Sequence, residues 1–384
     1  MSDSDTYALL ITDLSTRKAF DLANIMRSHN IDLIFCDALN VTDAFMLKNA
    51  YQGTIERLRK DENFCKDLGS ILEKYSDKKI IYIPIEEDTT LLVYDFLQKN
   101  RYENFYHNLP PEESFHIVRD KGRFADFCET KGIPVPKTYR FEALLQMQDL
   151  PLPLILKPRK GSGSIGIRFI DTKEQLEACK NLPMQEYLIQ ERLENPKDIE
   201  GGFFLFTEGK PISYYGHKRI RTYPTSGGVS VYSKCALNPE LQKLGDEVLQ
   251  KLNWSGLAMV EFLYDTRSNS YKIIEINPRL WGSLMLSEFC GSRMLENYCQ
   301  SALNQTLYPA DIQENRYLRW LFPWDILAYL QTKGAIKNFW NLDRAHTCYV
   351  NFSYGSFIRS LLFTFYNMVN PKKLKKLYQK VMGS

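Results

Sequence analysis

Short apolar runs alternate with helical patterns in the N-terminal part of the chain. Tyr7–Thr12, Asp32–Cys36 and Lys79–Ile85 are runs of strand length, and an amphipathic pattern follows each one. This alternation predicts a parallel β-sheet with crossover helices. The first turn lacks G-x-G-x-x-G, so an ordinary dinucleotide site is not predicted. Ser15 or Thr16 is interpreted as the cap of the first helix, with an anion site at the helix N-terminus as the alternative.

Beyond the proline pair Pro110-Pro111 the pattern changes. A helix is expected from Arg119 to Lys131, because Gly132 follows it and prolines come soon after. Mostly strands come next, at Leu154–Lys157, Ile167–Ile170, Tyr187–Glu191, Phe203–Thr207, Ile212–Lys218, Ala258–Tyr264 and Tyr271–Ile276. The turns at Glu208–Lys210 and Asp265–Ser270 predict hairpins between the last four strands.

The composition is that of a globular protein, and it limits the partners. The chain has 384 residues with 44% hydrophobic and 25% charged residues, which excludes a disordered chain. Its 49 basic and 46 acidic residues give a net charge of +3, so nothing in the total charge indicates nucleic-acid binding.

The cysteines and the N-terminus indicate a cytoplasmic protein. The eight cysteines are scattered, without a C-x-x-C pair or zinc spacing, and are expected to be buried free thiols. The acidic N-terminus has no apolar core of signal-peptide length, and no apolar stretch is long enough for a membrane-spanning helix.

A loop of glycine and serine, Gly161–Ser164, lies between two predicted strands. Such small residues allow successive backbone N–H groups to point at one anion, and Lys157 and Lys160 add positive charge beside it. The loop lacks the G-K-[ST] ending of a Walker A motif, and a strand follows it rather than a helix. It is interpreted either as an anion-binding loop or as a flexible hairpin turn.

Two carboxylates give the most specific signal. Glu261 and Glu275 are equidistant from Ser268, the centre of the predicted hairpin, so they are expected to be cross-strand neighbours with Cα atoms about 4.5–5.5 Å apart. Asn277 points to the same face as Glu275. Two carboxylates and an amide oxygen suit Mg²⁺ that bridges phosphates, and Arg279 follows as a phosphate partner. The alternative is two solvated carboxylates, which the apolar flanking residues disfavour.

A basic cluster ends the strand that begins at Ile212. It consists of His217, Lys218, Arg219 and Arg221, and a segment with two adjacent glycines, Thr222–Ser230, follows. This arrangement indicates either a site for an anionic substrate or a solvated strand end. His217 is a candidate general base, although a lone histidine is more often structural.

Taken in order, these pieces resemble the ATP-grasp superfamily between Asp120 and Asn304. The segments His217–Gly228 and Asn277–Ser283 are most similar to its predicted carboxylate–amine ligase branch, which is related to carbamoyl-phosphate synthase large chains. The four-glycine loop of biotin carboxylase is replaced here by GSGS, and a lysine-biotin motif is absent from the sequence.

The resemblance implies an α/β protein with an ATP-grasp fold. Two α+β subdomains, residues 116–187 and 188–308, would sandwich ATP within a domain spanning 116–308. A Rossmann-like pre-ATP-grasp domain, 1–115, would precede them, and an aromatic and basic helical extension, 309–384, would follow.

The resemblance also implies roles for individual residues. Those that would bind the ATP phosphates are Lys121, Lys157, Gly161, Ser162, Gly163 and Ser164. Those of the hinge that would contact adenine, largely through the backbone, are Gln190, Glu191 and Leu193. Asp198 or Glu200 would meet the ribose. The expected magnesium ligands are Glu261, Glu275 and Asn277, and the residues that would stabilise the transferred phosphate are Arg219 and Arg279.

The function that follows is an ATP- and Mg²⁺-dependent ligase, with two ions expected and Mn²⁺ as a substitute. A small-molecule carboxylate would be activated as an acyl phosphate and joined to an amine. Two alternatives stay open: a bicarbonate-activating enzyme, and an ATP-binding sensor that has lost turnover. A homodimer is expected only by analogy with related proteins.

The C-terminal end is basic and lies outside the resemblance. From Arg344 to Ser384 there are seven Lys or Arg residues and no Asp or Glu. Phe357–Val369 is apolar and aromatic, and Lys372–Met382 places apolar residues on one helical stripe with lysines opposite. The favoured interpretation is a helix docked on its own domain, and the alternative is peripheral contact with an anionic membrane.

Overall fold

The N-terminal part of the chain forms a five-stranded parallel sheet, which confirms the prediction from its apolar runs. The computed structural model describes residues 7–161, 166–194, 199–225, 229–333, 336–337, 339–350 and 357–370. The strands are β1 (Tyr7–Ile11), β2 (Asp32–Asp37), β3 (Ile55–Arg57), β4 (Lys79–Tyr82) and β5 (Phe105–His107). Their order, β3-β2-β1-β4-β5, is that of a doubly wound sheet.

Four helices connect these strands: α1 (Arg17–Ser28), α2 (Val41–Tyr51), α3 (Phe64–Lys74) and α4 (Glu87–Lys99). The Thr16 side chain accepts a hydrogen bond from the Ala19 amide at 3.3 Å, so the capping interpretation of this turn is confirmed. Most of α1 is buried, because it lies between the parallel sheet and the rest of the protein.

Two helices, α5 (Glu112–Arg119) and α6 (Lys121–Lys131), lead to a four-stranded sheet. Asp120 caps α6 by accepting hydrogen bonds from the amides of Gly122 and Arg123, and Gly132 ends the helix with φ +69°. The strands are β6 (Thr138–Tyr139), β7 (Leu154–Pro158), β8 (Arg168–Ile170) and β9 (Tyr187–Glu191), in the order β6-β9-β7-β8. The short helices beside them are α7 (Phe141–Gln146) and α8 (Lys173–Glu177).

A seven-stranded sheet follows. Its strands are β10 (Glu200–Thr207), β11 (Lys210–Tyr223), β12 (Val229–Cys235), β13 (Gly256–Asp265), β14 (Ser270–Asn277), β15 (Tyr317–Arg319) and β16 (Thr347–Tyr349). Their order is β14-β13-β10-β11-β12-β15-β16, so both predicted hairpins are confirmed. The remaining helices are α9 (Pro239–Lys251), α10 (Leu284–Phe289), α11 (Met294–Ala302), α12 (Ile326–Gln331) and α13 (Phe357–Val369).

One apolar core joins the parallel sheet to the seven-stranded sheet. Ile11 of β1 belongs to the same buried cluster as Phe203, Tyr215 and Trp281. A backbone hydrogen bond also crosses this junction, because the Leu280 amide donates to the Pro84 carbonyl at 2.9 Å. The strand ends of the N-terminal part are therefore held close to the end of β14.

None of the eight cysteines, all within the described residues, forms a disulfide bond, and seven of them are buried, as the sequence predicts. The C-terminal segment beyond residue 308, expected to be a helical extension, contains α12 and α13 and also adds β15 and β16 to the large sheet. The strands escaped prediction because each has only three residues, too few for a period-2 pattern.

Helix α13 packs against α2 in the N-terminal part. Phe363 stacks on Phe20 with ring centroids 4.4 Å apart, and the Asn370 amide donates to Asp43 at 3.2 Å. The predicted helix at Lys372–Met382 lies outside the described residues. Among the described helices, none is both long enough and apolar enough to cross a membrane.

We expect Phe363→Ala to destabilise the docking of α13 by about 3–5 kcal/mol, because a fully buried ring leaves a cavity. Urea unfolding measures the loss. The matched control is Phe365→Ala, two residues along the same helix and 59% exposed, which should change stability by no more than about 0.5 kcal/mol. Equal stability of the two variants would contradict this packing.

Candidate active site

Glu261 and Glu275 face each other on β13 and β14, as the sequence predicts. The register, however, is not the uninterrupted one assumed from the turn. Near the turn Asp265 pairs with Ser270, and a bulge beside Glu261 then shifts the register by one residue and leaves Ile274 without a partner on β13. The bulge, a feature common next to functional sites, is what brings the two carboxylates opposite each other.

Two lysines converge on Glu275 from separate elements. Lys121, the first residue of α6, has its Nζ 3.2 Å from the Glu275 carboxylate and donates to the Gly161 carbonyl at 2.8 Å. Lys157, on β7, donates to the Ile274 carbonyl at the bulge at 3.4 Å. The four-stranded sheet and the linking helix are therefore both joined to the end of the large sheet.

Two arginines occupy the other side of the carboxylate pair. Arg219 of β11 donates to Glu261 at 3.2 Å. Arg279 donates to the Asn277 side-chain oxygen at 3.0 Å, and Asn277 in turn donates to Glu275 at 3.2 Å. The structure thus brings together the predicted residues of the carboxylate pair and its cationic surroundings.

Burial and charge shift the pKa values of these groups. Burial raises the pKa of Glu261, although Arg219 acts in the opposite direction. Burial would also raise the pKa of Glu275, but the charges of Lys121 and Lys157 and the hydrogen bond from Asn277 act in the opposite direction, and the pKa is lowered. Burial lowers the pKa of Lys157 to about 8. The ionisable groups are therefore withdrawn from water and sensitive to an added charge.

The donor set fits a divalent cation bound together with phosphates. Four cationic side chains surround two carboxylates, which leaves surplus positive charge for a polyanion. Within the described ranges no three Asp, Glu, His or Cys side chains come together to hold a metal ion. An ion at this site would therefore rely on the two carboxylates, the Asn277 oxygen and oxygens of the phosphate ligand.

His217 lies in the same row of the sheet, because Gly201 is the cross-strand partner of both His217 and Glu261. A Cβ at Gly201 would lie 3.0 Å from the imidazole, so the glycine makes room for the ring. Nδ1 is 3.0 Å from the Ser283 hydroxyl, and burial, with a contribution from Arg219, lowers the pKa of His217 to about 3. This low pKa favours a hydrogen-bonding role over that of a general base.

Arg221, which the sequence groups with Arg219, points elsewhere. It forms two hydrogen bonds of 2.8 Å with the fully buried carboxylate of Asp325, which also accepts from Arg319 at 2.6 Å. Both arginines lie against the rings of Tyr232 and Phe339. The C-terminal segment therefore anchors the end of β11, and Arg221 has a structural role beside the site.

Two side chains of the predicted adenine hinge already have partners within the protein. The buried Gln190 side chain donates to the Pro136 carbonyl at 3.1 Å and to Thr138 at 3.0 Å. Glu191 forms ion pairs with Lys272 at 2.6 Å and Arg267 at 3.2 Å. Hinge contacts to a base would therefore have to come largely from the backbone.

The remaining predicted residues are described only in part. Leu193 is buried, and Glu200 accepts a hydrogen bond from the Tyr271 hydroxyl at 3.0 Å. Gly161 has φ +110°, a conformation that favours glycine. The predicted residues that lie outside the described part of the chain are Ser162, Gly163, Ser164 and Asp198.

Residues of the N-terminal part also contact the candidate site, and the sequence did not predict this. Glu87, in the first turn of α4, has its carboxylate 3.3 Å from Arg279, and Lys18 lies 2.8 Å from Glu86 beside them. Burial, with a contribution from Arg279, lowers the pKa of Lys18 to about 8. Acidic residues are ordinary in a first helical turn, so nothing in the sequence marked Glu87.

Residues 118–283 match the family of ATP-grasp domains. This segment includes the carboxylate pair, Asn277 and all four cations described above, so the protein carries an ATP-grasp domain with the candidate site inside it.

Two curated proteins are similar over part of the chain. The mitochondrial methylcrotonoyl-CoA carboxylase subunit alpha of Glycine max is 22% identical over 194 residues, which are 44% of this chain and 26% of that protein. The carbamoyl phosphate synthase large chain of Methanoculleus marisnigri is 24% identical over 192 residues, which are 46% of this chain and 18% of that protein. The chain thus spans about a quarter or less of these relatives.

A solved structure is similar over most of the chain. It is the biotin carboxylase domain dimer of the Hydrogenobacter thermophilus 2-oxoglutarate carboxylase, in complex with MgADP, ADP and bicarbonate. The TM-score is 0.61 at 15% identity, over 81% of this chain and 73% of that one. At this identity the likeness concerns the fold, which is the ATP-grasp fold.

We expect phosphate binding to weaken as the pH rises through about 8. Phosphate favours protonated Lys157, so above its pKa the free protein must take up a proton on binding, and affinity falls by up to about tenfold per pH unit. Calorimetric titration with ATP between about pH 7 and about pH 9 measures this.

The variant Lys157→Gln should bind ATP more weakly and lose most of this slope, whereas Lys180→Gln, at an exposed lysine of the same subdomain, should keep it. A Lys157→Gln variant with the slope of the unaltered protein would contradict the assignment.

Proposed function

We propose that the protein is an ATP-dependent ligase that activates a small-molecule carboxylate as an acyl phosphate and joins it to an amine. The observation that carries this proposal is the buried pair of Glu261 and Glu275, held opposite each other and surrounded by four cations from separate elements. The ATP-grasp domain and its similarity to carboxylase and synthase chains support it. A cytoplasmic location and a homodimer stay predictions.

Within this proposal each polar group has a role. Glu261, Glu275 and Asn277 would hold Mg²⁺, with Mn²⁺ as a substitute and two ions expected. The bound metal would offset the negative charge of the phosphate oxygens. Lys121 and Lys157 would bind the ATP phosphates together with the loop at Gly161.

The base and the ribose of ATP would lie beside the hinge between the two sheets. Backbone groups of residues 190–193 would contact adenine, and Glu200 or Asp198 would meet the ribose. Glu200 lies at the start of β10 and its carboxylate accepts from Tyr271, which supports its place at this end of the sheet.

The reaction would proceed in two displacements. A carboxylate oxygen of the substrate attacks the γ-phosphorus, the bond to the bridging oxygen breaks, and ADP leaves. The amine then attacks the acyl carbon, phosphate leaves with the electrons of the C–O bond, and the amine loses a proton to solvent. Arg219 and Arg279, which contact Glu261 and Asn277, would stabilise the transferred phosphate and the oxyanion that precedes its departure.

His217 and Ser283 would orient the substrate beside Arg219. The ring lies against Gly201, and its Nε2 is a buried nitrogen without a hydrogen-bond partner among the described residues. A buried polar atom of this kind is costly unless a ligand or water satisfies it. Burial, with a contribution from the charge of Arg219, lowers the pKa of this ring and makes a proton on it costly, which supports positioning rather than proton transfer.

A second candidate keeps the same site but forms carboxyphosphate from bicarbonate. The similarity to a carbamoyl phosphate synthase large chain and to a carboxylase domain solved with bicarbonate favours it. The complete set of cations and carboxylates speaks against the third candidate, a sensor without turnover. ADP release across a matrix of carboxylates and amines, with mass spectrometry of the products, separates the three.

Release that requires both a carboxylate and an amine supports the ligase. Bicarbonate-stimulated release without an amine supports the second candidate, and tight ATP binding without release supports the sensor.

We expect Glu261→Gln and Glu275→Gln each to lower ADP release by at least about a hundredfold, because each removes one charged ligand from the metal site. The control is Glu208→Gln, an exposed residue in the turn between β10 and β11, which should retain full activity. Circular dichroism checks that the variants are folded. Release at the unaltered rate from both site variants would rule out the metal assignment.

A further inference from the structure

Helix α13 exposes an apolar side to water. Its buried positions, spaced at three-residue intervals, are Ser360, Phe363 and Tyr366. Its exposed residues are all large and apolar: Phe357, Ile358, Leu361, Leu362, Phe365, Met368 and Val369. A surface helix of a globular protein normally shows the opposite pattern, with polar residues toward water.

Helix α2 extends this apolar surface. Val41 is 88% exposed and Phe45 is 72% exposed, one turn apart on the helix. The two helices run antiparallel, because Asn370 contacts Asp43 at one end and Arg359 contacts Gln52 at the other. We call the exposed apolar residues of α2 and α13 together the apolar face.

Basic residues lie beside the apolar face, and Asp43 of α2 is an acidic residue at its Asn370 end. Leu362 lines a shallow cleft with Lys48, and Arg359 lies on the neighbouring side of α13. The chain that continues from Asn370 contains five lysines and no acidic residue in its last 14 positions. In the sequence these lysines follow α13 directly.

We propose that the apolar face binds the surface of an anionic phospholipid bilayer, with the apolar side chains inserted among the lipid chains and the positive charge of the C-terminal sequence attracted to the headgroups. Exposed aromatic and aliphatic side chains beside clustered lysines are the combination that gives stable but peripheral attachment. The face is formed by α2 and α13, whereas Glu261 and Glu275 lie on β13 and β14, so the face is built from other elements than the carboxylate pair.

Charge favours a lipid surface over a second copy of the chain. A symmetric dimer through this face would place the same patch of each copy against the other. Each copy would bring five lysines and no acidic residue in the 14 positions after Asn370, and this like charge would oppose association. An anionic bilayer can take up the apolar side chains in its hydrocarbon region, and its negative headgroups attract the lysines.

The test is flotation of the full chain with vesicles. Vesicles of phosphatidylcholine alone are compared with vesicles in which part of it is replaced by phosphatidylserine, at low and high salt. The double variant Leu361→Glu with Phe365→Glu places charge at two exposed positions of α13, where folding should tolerate it. The matched control is Leu330→Glu, at an exposed leucine of α12.

We expect the unaltered protein and Leu330→Glu to float with the anionic vesicles and to remain in solution with the neutral ones. The partition coefficient of the Leu361→Glu, Phe365→Glu variant onto anionic vesicles should be at least about tenfold lower. Replacing Lys372, Lys373, Lys375 and Lys376 with glutamine should also lower it by at least about tenfold, as should high salt.

Three results would overturn the proposal. One is the absence of flotation with anionic vesicles. Another is flotation that the double variant retains. The third is a dimer in lipid-free solution, measured by sedimentation velocity, that the double variant converts to monomer. The proposal does not depend on the enzymatic function, because ADP release is not among its readouts.

Discussion

Two carboxylates held side by side on neighbouring strands are the constraint on which the rest of the site depends. Glu261 and Glu275 are both largely buried, and their charges would repel each other without compensation. Compensation comes from Lys121 and Arg219 at 3.2 Å each, and from Lys157 close by. These cations belong to a linking helix, to the large sheet and to the four-stranded sheet, so one electrostatic requirement ties three separate elements to one place.

The neighbouring structure fixes the positions of these cations. The bulge at Ile274 sets Glu275 opposite Glu261 and also offers the carbonyl that Lys157 reaches. Arg221 and Arg319 share the buried Asp325, which fastens the end of β11 two residues beyond Arg219. A buried carboxylate between two arginines is costly to break, so it restricts the position of that strand. The charged residues here are therefore of two kinds. Arg219 contacts the carboxylate pair, whereas Arg221 and Arg319 hold the backbone in position through Asp325.

Several parts of this arrangement could be predicted from the sequence, and others could not. The strands, the hairpins and the pairing of Glu261 with Glu275 follow from local periodicity and turn residues. The predicted pairing is correct, but the turn is not centred on Ser268. Its centre lies between Arg267 and Ser268, and the bulge then shifts the register by one residue so that Glu261 pairs with Glu275. Arg221 and Arg219 look equivalent in the sequence, yet their side chains have different partners, since the register shift between them alters their direction. Glu87 could not be predicted from the sequence either, because its partner, Arg279, is 192 positions away.

The sequence by itself determined the succession of elements, the residue types of the site and the basic character of the C-terminal end. These properties depend on neighbours within a few positions, where strand and helix periods act. Only the tertiary structure decided which cations meet Glu261 and Glu275, that His217 is buried against Ser283, and that α13 turns its apolar side outward. Those outcomes depend on contacts between distant segments. Both sides of α13 are apolar, and the side that carries Phe363 is buried because it packs against the N-terminal part.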